Sequence, residues 1–93
     1  VIDQTKREAL AALFREAGQA HHQAYLATDG ADPDWPIWYA EHLHRPLADL
    51  LNASFTRSEL VYLLVALDRD LKTSAPGADW VNYYTRWFLE RYV

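Results

Sequence analysis

The sequence predicts an all-α protein, a small four-helix bundle or helical array whose second helix is kinked or broken at Pro46. Three observations predict it. Apolar residues recur with the 3.6-residue period of amphipathic helices, and we identify no strand. Two Thr-x-x-Glu capping boxes mark helix starts, at Thr5 and at Thr56. Segments rich in Asp, Gly and Pro separate the periodic stretches. A chain of 93 residues is long enough for a single domain, which we assign to 1–93.

The first helix is predicted from about Lys6 to Leu26. Thr5 and Glu8 form a capping box, in which the hydroxyl and the carboxylate each bind a free backbone N–H. The residues that share its apolar face are Leu10, Leu13, Phe14, Ala17, Ala20, His21 and Ala24. Asp29-Gly30 is expected to end the helix, because glycine adopts positive φ without strain.

The second helix is predicted to begin near Asp34, whose carboxylate can accept hydrogen bonds from first-turn N–H groups. Its broad apolar face carries Trp35, Trp38, Tyr39, Leu43, Leu47 and Leu50. Pro46 removes one backbone donor and clashes with the preceding turn, at about 3 kcal/mol in a helix interior. Because the apolar phase continues through Pro46, we favour a kinked helix over 34–51, with two short helices as the alternative.

The third helix has the clearest start in the chain. Thr56 and Glu59 form a capping box, and Phe55 precedes the cap, where it can pack onto Leu60. The main apolar stripe consists of Leu60, Leu63, Leu64, Leu67 and Leu71, while Val61, Tyr62, Val65 and Ala66 fill much of the rest. A helix that is apolar on nearly all sides is central to its domain or is covered by another chain. Pro76-Gly77 is expected to close it.

The fourth helix is predicted to begin at Asp79 and to reach Val93. It carries five large aromatic residues: Trp80, Tyr84, Trp87, Phe88 and Tyr92. Short connections between the predicted helices favour antiparallel packing of neighbours.

Composition excludes several functions. The net charge of −4 argues against a nucleic-acid partner, because phosphate binding needs clustered Lys and Arg. The longest apolar run, Leu60 to Leu67, is too short to cross a bilayer, and no signal peptide is recognisable, so we expect no membrane and a cytoplasmic location. The absence of cysteine excludes disulfides, thiolate metal sites and a cysteine nucleophile.

One stretch concentrates the candidate chemistry. Residues 16–44 contain five acidic residues, all four histidines and no Lys or Arg. Five side chains of this stretch are candidates for ligand binding: Trp35, Trp38, Tyr39, His21 and His42. The aromatic rings could line a pocket for a small organic or cationic ligand, or could merely fill the wedge at the Pro46 bend. If the first two helices are antiparallel, His21 comes close to Tyr39 or His42.

The sequence gives no convincing metal or catalytic site. Glu41 and His44 have the i, i+3 spacing that di-iron helical bundles use, but the motif occurs once and Glu41 falls on the solvent side of its helix. We therefore predict no metal ligands, no cofactor and no catalytic residues, which makes an enzyme the least favoured reading.

The leading functional prediction is a non-enzymatic helical protein that acts through protein–protein association, most simply as a homodimer. The expected interface combines Val61, Tyr62 and Val65 of the third helix with Trp80, Tyr83 and Tyr92 of the fourth. The alternative prediction is a small-molecule or metal-binding module that uses the aromatic and histidine cluster of residues 21–44.

Overall fold

The structure, a computed structural model that describes residues 4–92, contains four α-helices in that range and no strand. They are α1 (Gln4–Ala24), α2 (Trp35–Leu51), α3 (Arg57–Ser74) and α4 (Trp80–Tyr92). The all-α, four-helix prediction is therefore confirmed. The predicted end of the fourth helix at Val93 lies outside the described residues.

The helices enclose one apolar core. α2 packs against both α1 and α3, α4 packs against α1, and α3 and α4 make few contacts with each other. The fully buried large side chains at the centre are Phe14, Phe88, Leu10, Leu43, Leu47, Leu60, Leu64, Leu89 and Thr85. The contact between α3 and α4 is the sparsest of these four helix packings.

The first helix differs from its predicted bounds at both ends. Gln4 is already helical, so Thr5 lies inside the helix and not at its N-cap. The α-helix ends at Ala24, and a short 3₁₀ turn, Leu26–Thr28, follows. The amide of Gly30 donates to the carbonyl of Tyr25 at 2.9 Å, so the chain starts to reverse earlier than predicted. Gly30 does adopt the expected positive φ, 83°.

The second helix runs without interruption through Pro46, which overturns the alternative of two short helices. Pro46 is exposed, so the ring faces solvent at this point in the helix. Leu43 and Leu47, on either side of Pro46, are both fully buried. Packing of this apolar face therefore stabilises the helix across Pro46. A bend at Pro46 stays a prediction.

The start of α2 requires a correction. Asp34 occupies the N-cap position, but its side chain makes no capping hydrogen bond. The carboxylate that binds there belongs to Asp32, whose Oδ1 accepts from the Asp34 amide at 3.0 Å. An Asp side chain commonly accepts from the backbone N–H two residues ahead, and this local turn fixes the approach to the helix.

The predicted start of α3 is confirmed in detail. The Glu59 amide donates to Oγ1 of Thr56 at 3.0 Å, and Oε1 of Glu59 accepts from the Thr56 amide at 2.9 Å. Phe55 and Leu60 are both buried in the same core cluster. Within residues 4–92, no helix has the length and apolarity needed to span a membrane.

Candidate ligand-binding site

A partly open cavity of about 410 Å³ lies in the interior of the bundle. We call it the central cavity. Its walls come from all four helices and from the connection between α1 and α2. The lining residues are Phe14, His21, Gly30, Asp32, Trp35, Tyr39, Leu43, Leu64, Asp68, Leu71, Trp80 and Tyr84. Its volume and its mainly apolar lining with a few polar groups are typical of sites for small molecules.

A buried contact between His21 and Asp32 forms part of the wall of the central cavity. His21 lies on the apolar face of α1 and is only 7% exposed. Its Nε2 lies 3.2 Å from Oδ2 of Asp32, whose side chain is 5% exposed. Because the other oxygen of Asp32 accepts from the Asp34 amide, this one carboxylate joins α1, the connection and the start of α2.

Asp32 is the site residue that sequence reasoning missed. Two signals could have identified it. A histidine on an apolar helix face needs a polar partner, and an Asp two residues before a helix N-cap is well placed to accept from the backbone. Partial burial and the Asp32 carboxylate also raise the pKa of the Tyr25 hydroxyl.

Aromatic rings surround His21. The ring centroid of His21 lies 4.9 Å from that of Tyr39 and 5.0 Å from that of Trp38. The predicted approach of His21 to Tyr39 is thus confirmed. His42 takes no part in this contact: its Nε2 binds Oε1 of Glu16 at 2.9 Å, and its ring stacks on Trp38 at 4.9 Å.

The structure divides the five candidate ligand residues into two groups. His21, Trp35 and Tyr39 line the central cavity. Trp38 and His42 line a separate, shallower depression, together with Tyr25, Asp34, Ile37 and Glu41. The sequence placed all five within residues 16–44, on two helices, but could not show that they line two different depressions.

Two aromatic residues of α4 complete the central cavity. Trp80, one of the predicted interface residues, lies edge-to-face against Phe14 at 6.3 Å and against Tyr39 at 6.2 Å. Gly18 permits this position, because a Cβ there would come within 3.0 Å of Cζ2 of Trp80. Tyr84 lies next to Trp80, with ring centroids 5.6 Å apart.

The charged groups that line the central cavity are mainly acidic. They are the carboxylates of Asp32 and Asp68 and the imidazole of His21, and no Lys or Arg belongs to the lining. Burial raises the pKa of Tyr39 and, together with the Asp68 charge, that of Tyr84. Both phenols therefore remain neutral at neutral pH, and the rings present polarisable but uncharged faces.

The residues predicted to form an interface have different environments. Tyr62 is 71% exposed, and Val61 and Val65 are partly exposed on the same helix. The hydroxyl of Tyr83 donates to Asp70. Tyr92 packs against Phe55 and stacks on Phe88, at 5.5 and 6.0 Å respectively. Trp80, Tyr83 and Tyr92 thus have contacts within the chain, and Val61 also packs against the core. We call the α3 surface of Val61, Tyr62 and Val65, of which Tyr62 is the most exposed, the association face.

The Glu41–His44 spacing does not produce a pair of converging ligands. Glu41 binds Arg57, and Nε2 of His44 donates to the carbonyl of Phe55 at 2.8 Å. Across residues 4–92, no three His, Asp or Glu side chains come together as a possible metal site.

Comparisons with known proteins add no functional evidence, since no family model, no curated protein and no solved structure matches this chain.

Proposed function

We propose that the protein binds a small organic molecule in the central cavity. The observation that carries the proposal is a cavity of about 410 Å³ whose walls include four large rings, Trp35, Tyr39, Trp80 and Tyr84, beside a buried His21–Asp32 pair. Rings provide a large contact area with little conformational freedom to lose. A few polar groups among them provide orientation.

The packing of the bundle supports this use. A small domain buries a modest fraction of its surface, and unfilled interior space forfeits packing that the domain needs. Here α3 and α4 make few contacts with each other, and leucine side chains of α3 and aromatic side chains of α4 both line the central cavity. A bound molecule would supply the missing contacts and would stabilise the folded state by mass action.

The test uses three probes that share a phenyl group: 2-phenylethanol, 2-phenylethylamine and phenylacetate. We expect at least one to bind saturably by calorimetry. Leu71→Trp, which places a larger side chain in the lining, should abolish that binding. Leu63→Trp on the same helix is the matched control, because Leu63 packs against the core without lining the cavity. Failure of all three probes, or equal loss in both variants, would refute the proposal.

A second candidate function is self-association through the association face. The specific observation is that Tyr62 is 71% exposed between two partly exposed valines. Large aromatic residues are enriched in interface cores, and twofold homodimers are the commonest assemblies. The dimer is proposed independently of ligand binding.

Sedimentation velocity at tens of micromolar protein tests the second candidate. We expect a dimer that Tyr62→Glu converts to a monomer, because a buried, unpaired carboxylate is strongly disfavoured in an interface. Gln19→Glu adds the same charge at an exposed position of α1 and should leave the dimer intact. A monomeric wild-type chain would eliminate this candidate.

A further inference from the structure

The charge of the central cavity distinguishes among possible ligands. Its lining contains two carboxylates and no Lys or Arg. Asp32 is engaged by His21 and by the Asp34 amide. A proton on His21 would be balanced by Asp32, so Asp68 is the remaining acidic group of the lining. Such a lining repels organic anions.

Asp68 is the carboxylate that remains available. Its Oδ2 binds Nζ of the exposed Lys72 one helical turn away at 3.0 Å, and its side chain is 30% exposed. Lys72 does not line the cavity. Within residues 4–92, Oδ1 of Asp68 forms no hydrogen bond or ion pair. Because Oδ1 of Asp68 is unoccupied and Asp68 lines the cavity, a cationic group in the cavity could form an ion pair with this oxygen.

Asp68, Trp80 and Tyr84 all line the central cavity. Trp80 and Tyr84 are almost perpendicular, at 87°, as are Tyr39 and Trp80, at 80°. The aromatic side chains therefore pack on one another as well as lining the cavity, and a cation that contacts the face of such a ring is attracted by the negative electrostatic potential there. Burial raises the pKa of Tyr84 and the Asp68 charge raises it further, so the carboxylate lies close enough to this ring to affect it.

We propose that the central cavity recognises an organic cation, an amine or ammonium group on an apolar body, with the charged nitrogen placed between the Asp68 carboxylate and the rings of Trp80 and Tyr84. This inference rests on the proposed binding function and specifies its ligand class. The apolar body would lie against the leucine side chains of α2 and α3 that line the remaining wall.

Calorimetry at neutral pH and low salt compares 2-phenylethylamine, which is a cation, with neutral 2-phenylethanol and anionic phenylacetate. We expect the amine to bind about tenfold more tightly than the alcohol, because its ammonium group is attracted both by the aromatic ring faces and by the carboxylate. Phenylacetate should bind more weakly than either.

Two variants with the same change of charge assign the effect to Asp68. Asp68→Asn should weaken binding of the amine about fivefold or more and leave binding of the alcohol unchanged. Asp49→Asn, at an exposed position of α2 outside the lining, should alter neither.

The outcomes separate this inference from the proposal beneath it. If the alcohol binds as tightly as the amine, or if Asp68→Asn and Asp49→Asn have equal effects, the cation assignment is wrong while small-molecule binding stands. If no probe binds, both are wrong.

Discussion

Thr85 is a buried polar residue whose hydroxyl is not satisfied. It is 2% exposed, and among the buried side-chain polar atoms of residues 4–92 its Oγ1 alone has no hydrogen-bond partner. A buried hydroxyl without a partner loses its hydration and gains nothing in return. We expect Thr85→Val, which keeps the shape and removes the hydroxyl, to raise the free energy of unfolding by about 1 kcal/mol. Denaturant unfolding measures the change.

Thr73→Val is the control for this prediction. Thr73 is exposed on α3, and its Oγ1 donates to the Arg69 carbonyl at 2.7 Å, so removal of the hydroxyl should bring no gain. A loss of stability in Thr85→Val as large as in a typical core substitution would contradict the prediction.

At the scale of single residues, the sequence identified His21 better than its partner. The 3.6-residue period places His21 on the apolar face of α1, and the structure confirms its burial. Asp32 lies in a segment without periodicity, where the pattern carries no information about burial. The burial of Asp32 depends on how the connection folds back onto α1, which is a tertiary contact and not a local preference.

Among the helices, the capping box at α3 is local chemistry that the sequence predicts completely. The Thr56 amide donates to the Glu59 carboxylate, and this hydrogen bond, with a smaller contribution from the Thr56 side chain, lowers the pKa of Glu59 below its ordinary value of 4.5. A carboxyl whose pKa is lowered by folding stabilises the folded state above its unfolded pKa, and that contribution is lost as the pH falls through its folded pKa.

We therefore expect Glu59→Gln to be less stable than the wild type at neutral pH and the difference to shrink below about pH 4.5. Urea unfolding from pH 7 to pH 3 measures both proteins. Glu90→Gln, an exposed change at the end of α4, should keep a nearly constant difference from the wild type. Parallel curves for Glu59→Gln and the wild type would exclude the coupling.

The connection between α1 and α2 depends on Asp32 and not on the cap residue. We expect Asp32→Ala to destabilise the protein by about 1–3 kcal/mol, because it leaves the buried His21 ring without its partner. Amide exchange in 26–34 should accelerate as well, since the Asp34 amide loses its acceptor. Exchange measured by mass spectrometry reports the segment directly.

Asp34→Ala is the matched control. It removes the same charge from the same connection, but the Asp34 side chain makes no capping hydrogen bond, so its effect should be much smaller. Equal effects of the two variants would show that charge, and not the His21 contact, stabilises this segment.

For the whole molecule, the sequence predicted four helices but not the space between them. Periodicity shows which face of each helix is apolar, and this information is sufficient to predict the residues of the core. The central cavity depends on the relative placement of the helices. Trp80 illustrates the difference: the aromatic pattern of α4 does not reveal that Trp80 packs against α1, where Gly18 leaves room for its ring. A pairing between a glycine and a tryptophan 62 positions later has no signature in a single sequence.

Gly18 and Trp80 supply the last prediction, in which helix stability and cavity shape are coupled. Alanine in a helix interior is more stable than glycine by about 0.5–1 kcal/mol, but its Cβ at position 18 would lie 3.0 Å from Trp80 Cζ2. Because Trp80 borders the central cavity, its ring has room to move by a few tenths of an ångström. We expect Gly18→Ala to keep or slightly raise the free energy of unfolding and to weaken binding of 2-phenylethylamine.

Gly77→Ala, where a new Cβ meets nothing within 4 Å, should leave binding unchanged. A large loss of stability in Gly18→Ala with unchanged binding would show that the Trp80 wall is rigid and that the cavity does not adjust.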